Sequence, residues 1–378
     1  MRVLVLIHEY PPIGGGGGQV AQDVARGLVK LGHQVQVLAP YMKGQTINSL
    51  DEGVRLTRIP SFRRKAFIGD LLAMSGYLFI GFFAGLWLIR SFKPHVIHVH
   101  FAVPAGVLAW ILSRLTGIPY VLTSHLGDVP GGVPEKTDRW FKWIYPFTPR
   151  IWHDAAAVTA ISDFTRHLAL SHYPVNIIEI PNGIEMGSPR EKNVELNNPV
   201  RIVFAGRFVH QKNPLFVPQI MSAVKDLDWH CVMIGDGELW EETNLQIERL
   251  GLKDRFTLPG WSTPAEVVNV FKYSDILLLP SQTEGIPLTG LQALVNGLAI
   301  VTSRVGGLTE LVDHGRNGYL NNPSDIKAFQ ESMRSILMNK GALQNARIAS
   351  LNKAEKFDLR VIVESYQEVL QIASREHS

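Results

Sequence analysis

The sequence predicts an α/β protein of two domains, each a largely parallel sheet covered by helices. Three observations carry this. Short apolar runs alternate with helical periodicity almost throughout the chain. The runs are continuously apolar, as in strands covered on both faces, without the polar alternation of strands that face water. At 378 residues, 46% of them hydrophobic, the chain can fill two cores.

The bulk composition excludes some partners. A net charge of +3, with no basic tail and no zinc-like spacing, argues against nucleic acid. Cys231 is the single cysteine and can form no internal disulfide, which suits a reducing compartment. The apolar run at the N-terminus is too short for a signal peptide and ends in His8 and Glu9, so it reads as a first buried strand. A cytoplasmic protein is expected.

After that strand comes Pro11-Pro12-Ile13 and the tract Gly14 to Gly18, then a helical pattern from Gln19 to Leu31 that ends at Gly32. Gln34 to Ala39 is the next strand. The glycine tract therefore joins a strand to a helix. Free backbone donors there can approach a phosphate, or the tract is only a flexible turn. No acidic residue ends the second strand and no G-K-[ST] occurs, so neither a nicotinamide fingerprint nor a P-loop is expected.

Leu71 to Ile89 approaches the length of a membrane span and follows Arg63-Arg64-Lys65. Its flanks, Val54 to Ile59 and Val96 to His100, read as strands of one sheet, so spanning is rejected. Two readings stay open: a long helix buried on most sides, or a helix at a membrane surface with the basic residues near anionic headgroups. Tyr77, Phe79, Phe82, Phe83 and Trp87 suit either. His98 and His100 share a strand face and read as structural. Pro119 to Ser124 is a strand followed by His125-Leu126-Gly127-Asp128. His125 either meets a substrate or is satisfied within its loop. Gly131 to Trp152, rich in aromatics and proline, forms an acceptor wall or a loop and packed helix. Ala156 to Ile161 is a strand, Ser162 caps a helix, and Ile177 to Ile180 leads into the turn Pro181-Asn182-Gly183. The polar, aperiodic stretch Glu185 to Pro199 is the linker. Domains are expected at 1–185 and 186–358.

The alternation restarts with the strand Val200 to Ala205. The loop after it carries Arg207 and Lys212 before Pro214 opens a helix. These two cations could neutralise a diphosphate without metal, or be solvated charges. Asp226 and Asp228 form a D-x-D, but they precede the strand His230 to Ile234, at the wrong edge for a ligand, and read as solvated. Phe256 to Leu258 is a strand and Pro264 opens a helix. The buried run Asp275 to Leu279 then leads through Pro280 into the polar turn Ser281-Gln282-Thr283-Glu284-Gly285. Leu288, Leu291, Leu294 and Val295 follow at helical spacing, with Pro287 as the expected first helical position. Ligands of open α/β sheets bind at this carboxyl edge, and helix amides suit an anion. Glu284 would repel a phosphate, so it should accept from hydroxyls such as a sugar's, with Gln292 facing the same ligand. Otherwise Glu284 caps the helix and Gln292 is solvated. Ala299 to Thr302 is a strand, Gly306-Gly307 and Glu310 follow, and helices are expected to the end.

Several of these segments together resemble the retaining glycosyltransferases of family 4: Gly32-His33-Gln34-Val35 after the glycine loop, Thr123-Ser124-His125, Pro181-Asn182-Gly183-Ile184, Gly206-Arg207 with Lys212, Pro280-Ser281 through Glu284-Gly285, and Gly306-Gly307 with Glu310. The resemblance covers nearly the whole chain. It implies the GT-B fold, two Rossmann-like doubly wound domains facing a central cleft, with residues 359–378 as a helix crossing back to the N-terminal domain. It implies transfer of a sugar from a UDP- or GDP-sugar to a hydroxyl of a glycan or lipid-linked acceptor, with retained configuration. Gly15, Gly16 and Gly17 would lie near the donor phosphates, Arg207 and Lys212 would hold the diphosphate, and Glu284 would contact sugar hydroxyls. Gly285, Ile286 and Leu288 would offer backbone groups. Gln292 stands where the family has a ribose-binding Glu, and Pro287 where a small residue is usual. His125 would position the donor sugar. No metal or other cofactor is expected, because Arg207, Lys212 and helix amides would take up the charge of the leaving diphosphate. Peripheral contact with an anionic membrane would suit Leu71 to Ile89. The same fold also serves nucleotide-sugar epimerases or hydrolases, and a non-catalytic sugar-nucleotide binder is the remaining alternative.

Overall fold

The computed structural model describes residues 1–64, 69–133, 144–187 and 195–375. The chain divides into two compact units, Met1–Gly183 with Leu359–Ser378, and Ile184–Asp358. The division falls two residues before the position read from the sequence. Part of the expected linker, 188–194, lies outside the described residues, as do 134–143 of the aromatic stretch Gly131 to Trp152.

Unit 1 runs β1 (Arg2–Leu6), α1 (Gly16–Lys30), β2 (Gln34–Tyr41), β3 (Asn48–Asp51), β4 (Val54–Pro60), α2 (Leu71–Phe92), β5 (Val96–His100), α3 (Val107–Thr116), β6 (Tyr120–Ser124), α4 (Thr148–His153), β7 (Ala157–Ala160), α5 (Asp163–Leu170) and β8 (Ile177–Glu179). The sheet order is β3-β4-β2-β1-β5-β6-β7-β8. Every pairing is parallel except β3 with β4. β5 and β6 are buried along their whole length, which is why they read as unbroken apolar runs. β3 escaped the sequence reading because Asn-Ser-Leu-Asp offers no apolar pattern. The helix Leu359–Arg375 packs on α1, where Val363 meets Gly27.

Two expectations are corrected here. α1 starts at Gly16, three residues before Gln19, so the glycine tract supplies its first turn. α2 is not buried on most sides. Ala73, Gly76, Tyr77, Gly81, Gly85, Leu88 and Ile89 form its inner face, while Phe79, Phe83 and Trp87 are 70%, 58% and 60% exposed. Arg63, read as part of a basic run, is itself buried and donates from Nη1 to the His8 carbonyl at 2.9 Å. Arg64 is exposed, and Lys65 lies outside the described residues.

Unit 2 runs β9 (Val200–Ala205), α6 (Phe216–Ser222), β10 (Trp229–Ile234), α7 (Trp240–Arg249), β11 (Phe256–Gly260), α8 (Pro264–Lys272), β12 (Ile276–Leu279), α9 (Leu288–Val295), β13 (Ala299–Ser303), α10 (Leu308–Leu311), β14 (Gly318–Asn321), α11 (Ile326–Met338) and α12 (Lys340–Ala354). Its strands are all parallel, in the order β11-β10-β9-β12-β13-β14. This is the doubly wound order of dinucleotide-binding sheets. β14, four residues long, was hidden among the helices expected there. Pro264 follows the N-cap Thr263, which forms a capping box with Glu266. Arg347 of α12 forms a buried ion pair with Asp275 just ahead of β12, and Asp275 also accepts from the Arg201 amide at 2.9 Å. That contact fixes the start of the central strands.

Both sheets reverse their winding once, between β1 and β5 in unit 1 and between β9 and β12 in unit 2. Loops leaving adjacent strands in opposite directions open a crevice at the carboxyl edge.

Candidate functional site

In unit 2 the reversal places the loop after β9 beside the loop after β12, and these are the loops that carry Arg207, Lys212 and Glu284. The Lys212 Nζ donates to Glu284 Oε1 at 2.5 Å, and the Ser281 hydroxyl donates to the same oxygen at 2.8 Å. Both ionic side chains are largely withdrawn from water, at 14% and 7% exposure. The backbones are tied as well. The Gln282 amide donates to the Gln211 carbonyl at 2.8 Å, and Gln211 Nε2 donates to the Thr283 carbonyl at 3.1 Å. Glu284 is therefore not a helix cap; its carboxylate is committed to Lys212 and Ser281.

A third loop, after β13, completes the crevice. Gly306 has φ +50, and a Cβ built there would lie 1.8 Å from the Glu284 carbonyl oxygen. The Gly307 amide donates to that carbonyl at 3.1 Å. Only a residue without a side chain allows this approach. Pro287 is the N-cap of α9 rather than its first helical residue, and Leu288 opens the helix. Gly285 and Ile286 lie in the turn. The Gly290 and Leu291 amides donate to the Pro287 carbonyl at 2.9 and 3.2 Å, which leaves the Leu288 and Thr289 amides as the first-turn donors of α9 without an acceptor among the described residues. Gln292 sits half-buried in the second turn, and its side chain makes no hydrogen bond among the described residues. Arg207 is exposed, and its side chain makes no ion pair or hydrogen bond among the described residues. The crevice thus offers one open guanidinium, one ammonium held by a carboxylate, and helix amides.

The crevice of unit 1 gathers the other expected residues. The Gly15 amide donates to Glu9 Oε2 at 3.0 Å, and α1 starts at Gly16. A Cβ on Gly17 would sit 2.3 Å from Phe101 Cζ, so this glycine is required by close approach. Phe101 has φ +74, unusual for a bulky residue, stacks on His125 at 4.2 Å between centroids, and meets His8 edge-on at 4.8 Å. The Asp128 carboxylate holds the group together, accepting from the His125 amide and the Ala102 amide, each at 2.9 Å. Burial pushes the Asp128 carboxyl up to about 7 against the pull of those amides. Burial also lowers His125 to about 4, so its ring is neutral at pH 7. His125 Nε2 lies 3.3 Å from His100 Nδ1. His98 bonds the Thr123 hydroxyl at 2.8 Å in the interior, which accords with a structural role.

Phe101 and Asp128 were missed as site residues. Nothing in a sequence marks a positive φ at Phe101. Asp128 could have been found from its spacing, three residues after His125, which makes it the partner in a capping box. Asp226 is engaged by both terminal nitrogens of Arg334, at 2.9 and 2.8 Å, and the described residues hold no cluster of three potential metal ligands.

Comparison with known proteins bears on the family and the fold. A family model described as glycosyl transferases group 1 matches residues 188–353, and a glycosyl transferase 4-like domain model matches residues 15–183. The chain is 26% identical over 317 residues to the UDP-Gal:alpha-D-GlcNAc-diphosphoundecaprenol alpha-1,3-galactosyltransferase of Escherichia coli, covering 79% of this chain and 78% of that one. It is also 26% identical to glycogen synthase of Mycobacterium tuberculosis over an alignment of 412 residues, covering 99% and 95%. Among solved structures, sucrose-phosphate synthase from Thermosynechococcus elongatus aligns with a TM-score of 0.83 at 17% identity, over 98% of both chains. Anabaena HepE in complex with UDP aligns with a TM-score of 0.77 at 18% identity, over 98% and 100%. Those structures share the fold, two Rossmann-like domains of the expected GT-B type. With one family model on each unit and nearly the whole chain matched, the chain belongs to the group 1 glycosyl transferases.

Proposed function

We propose that this glycosyltransferase moves a hexose from a UDP- or GDP-sugar to a hydroxyl of a glycan or lipid-linked acceptor, with anomeric configuration retained and without a metal. The observation that carries the reading is the crevice at the β9–β12 reversal, with Arg207 open, Lys212 beside it in the same loop, and the amides of α9. When the bond from the anomeric carbon to the diphosphate oxygen breaks, negative charge builds on the diphosphate. Fixed cations and helix amides stabilise that charge more in the transition state than in the ground state, which is the work a metal does elsewhere. The acceptor oxygen forms the new bond on the same face, and its proton passes to the departing phosphate. Glu284 accepts from sugar hydroxyls, and neutral His125 exchanges hydrogen bonds with the sugar without serving as nucleophile. Relatives support the class of donor and acceptor: the Escherichia coli enzyme is named for a UDP-sugar and a diphospholipid acceptor, and HepE was crystallised with UDP and UDP-glucose.

A thermal-shift screen of UDP- and GDP-sugars tests the donor, because a ligand held by the native state raises its melting temperature. Absence of any shift would remove the reading. Product analysis with the stabilising donor alone separates transfer from epimerisation or hydrolysis, which need no acceptor.

A further inference from the structure

The outer face of α2 takes no part in this chemistry. Leu72, Phe79, Phe83 and Trp87 line it, each at least half exposed. The inner face mixes small residues with Tyr77, Leu88, Ile89 and Phe92, and its glycines seat it closely on α3: a Cβ on Gly81 would meet Leu108, and one on Gly85 would meet Leu112. The helix thus leaves Phe79, Phe83 and Trp87 in solvent on the side away from its packed face, where a helix on a water-facing surface carries polar residues. β4 and β5, which flank α2, belong to one sheet, so the helix lies along the domain and does not cross a bilayer.

Charge indicates what covers this face. Residues 61–93 carry five Lys or Arg and one acid, Asp70, whose carboxylate caps α2 by accepting from the Ala73 amide. Arg64, Arg90 and Lys93 are exposed at the two ends of the helix. Unit 1 holds 19 Lys and Arg against 14 Asp and Glu, while unit 2 holds 18 against 20. The positive excess of the chain therefore sits in the unit with the aromatic stripe. Trp87 also borders a polar groove lined by Gln34, Gln36, Asn48 and Arg55, which puts it at an apolar–polar boundary, the setting indoles prefer at membranes.

We propose that this face docks on an anionic lipid bilayer, with Phe79, Phe83 and Trp87 at the boundary of headgroups and acyl chains and Arg64, Arg90 and Lys93 among the headgroups. The inference does not depend on the donor or acceptor proposed above. The test is flotation of the full chain with vesicles of phosphatidylcholine alone or phosphatidylcholine containing phosphatidylglycerol. Wild type should float with the anionic vesicles, and less at raised salt. The Phe79→Ser/Phe83→Ser/Trp87→Ser variant should partition at least about tenfold more weakly. The Arg64→Gln/Arg90→Gln/Lys93→Gln variant should lose the preference for anionic lipid. All six side chains are exposed, so melting temperature and nucleotide-sugar thermal shift should not change. Failure of wild type to float, or equal flotation of the aromatic variant, overturns the proposal. So does a wild-type dimer in light scattering that the aromatic variant converts to monomer, since a second copy would then cover the face.

Discussion

Gly306→Ala should cripple the enzyme through backbone displacement alone. The added Cβ would lie 1.8 Å from the Glu284 carbonyl oxygen, where real Cβ contacts stay above 3.0 Å. The two backbones must part by about 1.2 Å, the difference between those distances. The carbonyl belongs to the residue whose carboxylate anchors Lys212 and Ser281, so the displacement moves the site itself. Misplacing reacting groups by about 1 Å costs on the order of 100-fold in rate, or about 2.7 kcal/mol. Alanine at positive φ adds about 1–2 kcal/mol of strain wherever it is placed. Gly315→Ala separates the two effects, because Gly315 has φ +78 with nothing within 4 Å of the added carbon. Urea unfolding and kcat/KM for transfer from the stabilising donor are the assays. Gly315→Ala should lose about 1 kcal/mol of stability and keep kcat/KM within about threefold. Gly306→Ala should lose about 100-fold in kcat/KM. If it matches Gly315→Ala in both assays, the backbone of Glu284 does not position the chemistry.

Arg207→Ala should leave stability within about 0.5 kcal/mol, since the side chain is exposed and makes no ion pair or hydrogen bond among the described residues. It should raise the donor KM about 10- to 100-fold, the worth of a charged hydrogen bond. Lys212→Met should cost about 3 kcal/mol in urea unfolding, because it strips a largely buried carboxylate of its cation, and it should act chiefly on kcat. Acid stability follows from buried histidines. Burial holds His98 at about 3 and His125 at about 4, against an ordinary 6.5, and lowers His100 as well. The native state then binds fewer protons than the unfolded chain, so stability present above pH 6.5 is lost as pH falls toward 4. Asp128 runs the other way: its raised pKa stabilises most at low pH, and that contribution fades as pH rises through about 7. Three groups outweigh one. Melting temperature should fall on acidification, His98→Gln should remove up to about 1.4 kcal/mol per pH unit of that slope, and Asp128→Asn should steepen it.

What the sequence revealed, and what it hid, has a physical pattern. Buried parallel strands read directly as apolar runs, so β5, β6, β9 and β12 were found within a residue or two. The Glu284 turn was legible because Pro280 and Pro287 bracket it. The start of α1 was not, because periodicity records side chains and Gly16 to Gly18 have none. The outer face of α2 was ambiguous for a related reason: apolar composition is the same whether a face is covered or open. The pairing of Lys212 with Glu284 was out of reach altogether. It joins residues 72 apart in sequence, and only the strand order, β9 beside β12, brings them together.

That pairing changes how the two cations divide the proposed work. The sequence treats Arg207 and Lys212 as equivalent holders of a diphosphate, yet their resting states differ. Arg207 has no ionic partner among the described residues, so a donor can take its full attraction on arrival. Lys212 already has an anion in hydrogen-bond contact, and a phosphate must compete with Glu284 for it. The competition is least favourable to the phosphate in the ground state, where the diphosphate charge is still shared with the sugar ester. It improves as the bond to the anomeric carbon breaks and charge collects on the leaving oxygen. A cation held in reserve by a carboxylate therefore contributes most late in the reaction, and binding that grows along the reaction coordinate is what raises kcat. The sugar hydroxyls assigned to Glu284 strengthen the effect, because each hydrogen bond they donate weakens the hold of the carboxylate on Lys212.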